Sequence, residues 1–148
     1  MPIPALDAHG FLPVGIHTCD LDEVKIRFGA FNGSSRRPDL FQNLITYVAE
    51  VRSAGIAQCI IVDGSFVTAK LEPNDIDLVL VLESTHDFDD DLNPTAYNVV
   101  SKRSVNRRFG FDLLVARSGS AEFSRWTEFF QQVRLEPGRQ KGILQVPL

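Results

Sequence analysis

Two short apolar runs, residues 56–62 and 76–82, are joined by a segment that opens with Gly64-Ser65 and ends in Asp75-Ile76-Asp77, and this arrangement restricts the chain more than any other. Both runs are rich in Val, Ile and Leu, the composition of strands covered on both faces. Glycine at the exit of the first run permits a sharp turn and a close approach of backbone to a ligand, since it tolerates positive φ and has no side chain in the way. At the entrance of the second run, a strand conformation puts Asp75 and Asp77 on the same side, about 6 to 7 Å apart along the backbone. Two carboxylates so placed repel unless a cation joins them. Mg2+ suits such a pair, because it takes oxygen ligands and completes its shell with water and phosphate oxygens. The stretch from Gly64 to Leu78 therefore reads as a phosphate-and-metal site.

The 148 residues fit a single domain, and a hydrophobic content of 44% is enough to build a core. A formal charge of −4 gives no general attraction to nucleic acid or to anionic membrane, so nucleic-acid binding requires a local patch, and nothing signals DNA in particular. No apolar run approaches a membrane span, and Met1-Pro2-Ile3-Pro4 lacks the parts of a signal peptide. A soluble, cytoplasmic protein is the expectation. Cys19 and Cys59 stand apart with no ligand spacing and read as ordinary packed thiols.

Along the chain, residues 1–19 are rich in Pro and Gly and read as an irregular arm. Asp20 and Glu23 have the spacing of a capping box, predicting a helix over 21–28. Ser34, Ser35 and Pro38 open a second helix, whose apolar stripe of Leu40, Phe41, Leu44, Ile45, Val48 and Val51 ends at Gly55. The acidic block Asp87 to Asp91 reads as a solvated loop. A helix is predicted over 94–108, a third strand over 109–116, and an aromatic-rich helix over 121–133. The end, 141–148, reads as a short edge strand, consistent with Pro147. The fold class is α/β in the broad sense (α+β), a mixed sheet of about three to five strands flanked by helices.

Two features of this second half bear on function. Lys102, Arg103, Arg107 and Arg108 crowd into seven positions near a helix carboxyl end. The helix dipole favours cations there, and a phosphate- or RNA-contacting patch is the alternative, which requires the cluster to face the site. Asp112 places a carboxylate in an apolar strand, a costly position without a partner. It lies at an exposed edge or meets a cation, and the cation that Asp75 and Asp77 already require makes the second reading the better one. The three histidines form no ligand pattern, and no serine or cysteine is paired with a base for nucleophilic attack.

Gly64-Ser65, Asp75-Ile76-Asp77 and Asp112 on a later strand together resemble the signature of the DNA polymerase β-like nucleotidyltransferase superfamily, and the short length resembles its minimal members from toxin-antitoxin and phage-defence loci. The resemblance covers residues 56–116. It implies a Gly-Ser turn that begins a helix and holds a nucleoside triphosphate through Gly64 and Ser65. It further implies that Asp75 and Asp77 bridge two Mg2+ ions, for which Mn2+ substitutes, and that Asp112 binds the catalytic ion and helps activate an acceptor hydroxyl. Where many minimal members carry Ala-Arg-Gly after the serine, this chain has Val67-Thr68-Ala69-Lys70, so that Lys70 either replaces an arginine as a phosphate contact or is simply solvated, and Asn74 stands where they carry a serine. The expected activity is transfer of a nucleoside monophosphate from an NTP such as ATP to a hydroxyl of a protein or RNA. The alternative is a nucleotide-binding or antitoxin-like partner of the same fold without turnover.

Overall fold

Strand-forming residues gather into one mixed sheet. The computed structural model describes residues 3–30, 33–134 and 136–148. Strands β1 (Gly15–Thr18), β2 (Ala57–Asp63), β3 (Asp77–Leu82), β4 (Asp112–Arg117) and β5 (Gly142–Pro147) lie in the order β1-β5-β2-β3-β4. The β1–β5 and β3–β4 pairs are parallel, and the β2–β5 and β2–β3 pairs antiparallel. Among the described residues the helices are α1 (Leu21–Phe28), α2 (Arg36–Ala54), α3 (Pro94–Val100), α4 (Lys102–Phe109) and α5 (Ala121–Phe130). None is long and apolar enough to cross a membrane.

Alternation along the strands divides the core in two. Ile60, Val62, Leu78, Leu80, Leu82, Leu113, Leu144 and Val146 pack with residues of α1 to α4 on one face. Cys59, Ile61, Val79, Val81, Ala116 and Ile143 project to the opposite face, where Phe130, Phe123 and Trp126 of α5 meet them. Four helices thus cover one face and a single short helix covers the other. That uneven cover leaves one end of the α5 face open.

The fold class agrees with the expectation, and several local readings change. The amino-terminal arm contains a strand, β1, which pairs with β5 and forms the sheet edge. The carboxyl-terminal strand lies inside the sheet between β1 and β2, and Pro147 is tolerated because it is the last strand residue, paired opposite Cys59. The helix predicted over 94–108 is two. Ser101 is extended (φ −77°, ψ 107°), ends α3, and accepts the Ser104 N–H to cap α4. Gly110 closes α4 in the left-handed conformation at φ 77°, so the following strand starts at Asp112 rather than Phe109. Helix α5 stops at Phe130, after which Gln132 bridges Gln140. The first helix matches its expected span, with both capping-box bonds formed between Asp20 and Glu23. Cys19 and Cys59 are buried, and burial pushes their thiols up to about 12 and about 11, which keeps them unreactive.

Candidate functional site

Sheet register brings the carboxylates together. Asp63, the last residue of β2, pairs with Asp77, the first of β3, and Asp77 pairs in turn with Asp112, the first of β4. Paired residues in adjacent strands share a face, and Asp63, Asp77 and Asp112 follow the alternation of the residues packed under α5. This row lies where α5 has ended. Asp75 precedes β3 and joins it, while Ile76 between the two acids is fully buried. One carboxylate oxygen from each of Asp75, Asp77 and Asp112 lies within 4.8 Å of the others.

Among the described residues none of these three has a salt-bridge partner. Burial, then the neighbouring Asp75, Asp63 and Asp112, push the Asp77 carboxyl up to about 6. Burial and Asp112 raise Asp75 as well, with Arg134 opposing most among the nearby cations. The site is therefore charge-frustrated as it stands. Three oxygen donors with no cation among them fit a hard divalent ion such as Mg2+, which prefers carboxylates.

Gly64 sets the approach of the turn. It has φ 91° and ψ −177°, a region essentially confined to glycine. A Cβ there would lie 3.2 Å from the Asp77 nitrogen and 3.3 Å from its Oδ2. We expect Gly64→Ala to lower stability by about 1–3 kcal/mol, read from urea unfolding; an unchanged midpoint would mean that the turn does not need this conformation. Ser65 begins a single 3-10 turn, Ser65–Val67, in place of the helix that the resemblance implies, so little helix dipole acts here.

What holds the segment from Phe66 to Asn74 is a pair of arginines at the start of α2. The Arg37 guanidinium is fully buried and donates to the carbonyls of Phe28, Phe66, Thr68 and Lys70. Arg36 donates to the carbonyls of Pro73 and Asn74, next to Asp75. Cations at a helix amino end work against the dipole, so the loop carbonyls account for their place. Sequence reading missed both, since adjacent arginines at a helix start resemble a solvated pair.

The carboxylates lie in a cleft of about 1360 Å3, lined also by Gly64, Ser65, Lys70, Lys102 and Arg103. The expected basic patch is divided. Lys102 and Arg103 face the cleft, whereas Arg108 bonds Glu50 of α2 and lies over the Phe109 ring, and Arg107 is not on the cleft wall. Arg134, from the segment after α5, also lines the cleft. So does the buried pair of Asp63 and Lys141, which sequence reading passed over because Asp63 looks like the end of an apolar strand. Applied at Asp63, the reasoning that singled out Asp112 would have found it.

No match is found among curated proteins or among solved structures. A protein-family model matches residues 4–147, and the chain belongs to that family, DUF6932, a family of unknown function.

Proposed function

We propose that the protein is an Mg2+-dependent nucleotidyltransferase that moves a nucleoside monophosphate from an NTP to a hydroxyl of a protein or RNA acceptor. The observation that carries this reading is the convergence of Asp75, Asp77 and Asp112, which have no salt-bridge partner among the described residues, beside a glycine turn at the mouth of two adjacent strands. These three residues would hold the ion. When bound, Mg2+ supplies charge neutralisation to phosphate oxygens and lowers the pKa of an attacking hydroxyl. Asp112 is exposed at the rim, in reach of an entering acceptor. Lys70, Lys102, Arg103 and Arg134 give the walls the positive charge that a polyphosphate needs. Phe129, 56% exposed on the same wall, offers a flat face for a base. The cleft exceeds the roughly 300–1,000 Å3 of a usual small-ligand pocket, which leaves room for an acceptor beside the nucleotide.

One observation favours a second reading, a nucleotide-binding or antitoxin-like partner without turnover. The Gly-Ser turn leads into three residues of 3-10 helix, a weaker cradle for phosphates than a full helix. Incubation with each α-labelled NTP, Mg2+ and a cell lysate separates the two. The enzyme reading expects label on protein or RNA, lost on chelation. Nucleotide binding with no label on either would leave the binding protein.

A further inference from the structure

Lys141 and Asp63 form a nearly buried ion pair at the floor of the cleft, exposed to 8% and 4%. Lys141 is not a loose surface lysine. Its own N–H donates to Gln131 O at 2.7 Å, and the next residue, Gly142, donates to Leu12 O at 2.9 Å as β5 begins. Asp63 pairs across the sheet with Asp77, so its carboxylate belongs to the same row as Asp77 and Asp112. Without Lys141 the row would present three carboxylates, and with Asp75 the cleft floor would present four.

We propose that Lys141 is a positioning residue that holds Asp63 out of the cation site, fixing the donor set at Asp75, Asp77 and Asp112. The inference rests on the cation reading of those three residues and goes beyond it by assigning roles to two others. Divalent-ion affinity in oxygen sites follows the number of ligand charges. With Lys141 gone, the buried Asp63 carboxylate has the bound ion as the cation to meet, so it joins the row beside Asp77 as a fourth charged donor and tightens ion binding. Taking away the Asp63 charge does the reverse, because Lys141 loses its partner and turns its charge on Asp77, in competition with the ion.

The test is a calorimetric titration with Mn2+ of the full chain and four variants, with circular dichroism to establish folding. Lys141→Met is expected to bind roughly tenfold more tightly than the parent and Asp63→Asn roughly tenfold more weakly, from the gain or loss of one charge at short range. Lys141→Arg, which keeps the charge, and the double variant Asp63→Asn with Lys141→Met, which removes both charges, should each stay within about twofold. A pair that merely supports the fold predicts lower melting temperatures in the single variants with no opposed changes in affinity. Equal or weaker binding by Lys141→Met overturns the proposal. Should that variant not fold, Asp63→Asn decides, and an affinity equal to the parent's overturns it. A parent that binds no Mn2+ overturns the cation reading itself, and this proposal with it.

Discussion

Asp77→Asn should melt at a higher temperature than the parent when no divalent cation is present, and should transfer no nucleotide when one is. The two effects have one origin. In the folded protein the Asp77 carboxyl is raised to about 6 from an ordinary 3.8, by burial and by three neighbouring carboxylates. A group whose folded pKa is raised binds its proton more tightly folded than unfolded, so its ionised form opposes folding. Stability is full below about pH 3.8 and declines as pH rises through 6, and the cost is present in full at pH 7. Discounted for solvent screening of a half-buried group, removing it is worth about 1 kcal/mol, or about 2–4 °C. The pH dependence of melting between 4 and 7 should flatten in the variant. Losing a donor to the ion should reduce transfer by at least about a thousandfold, since an ion contributes several kcal/mol to such reactions. A variant that melts lower and retains transfer would contradict both halves.

The largest effect on stability is expected at Arg37. Its guanidinium has no exposed surface and donates to three carbonyls of the loop and to that of Phe28 at the end of α1, with the Phe28 and Phe66 rings against it. Burial lowers its pKa to about 10, so it remains charged at neutral pH. Arg37→Met leaves those carbonyls without their donor and should cost about 3–5 kcal/mol in urea unfolding. Arg37→Lys should recover little, because a single ammonium cannot reproduce the planar fork. The loop it holds joins Gly64-Ser65 to Asp75, so divalent-cation affinity should fall in either variant that still folds. A Lys variant as stable as the parent would show that charge alone, without geometry, is what the site needs.

The strands that carry the site were readable in the sequence because their signals are local. Residues 56–62 and 76–82 are apolar runs bounded by glycine and acids; β2 is shifted from the first by one residue at each end, and β3 begins one residue later than the second. Asp75 and Asp77 stood out as charges at the entrance of an apolar run and Asp112 as a charge within one, and they converge because β3 and β4 run parallel in register. What escaped reading depends on tertiary partners. The amino-terminal segment becomes strand β1 only because β5 supplies an edge, and β5 lies inside the sheet only because β1 covers it. Arg37 and Lys141 resemble ordinary surface cations until the carbonyls and the carboxylate that receive them are placed. The basic cluster at 102–108 was legible as a cluster, yet the break at Ser101 and the bond to Glu50 decide which of its members reach the cleft.

On the proposed reading, Asp75, Asp77 and Asp112 together hold a divalent cation. Calorimetric titration of Mg2+ and of Mn2+ into the parent and into a variant with all three changed to Asn decides whether they do. The parent is predicted to bind saturably and to melt higher with the ion, and the triple variant is predicted to be folded, to melt at least as high as the ion-free parent, and to bind neither ion. Binding by the triple variant at the parent's affinity, or no binding by the parent, would contradict it.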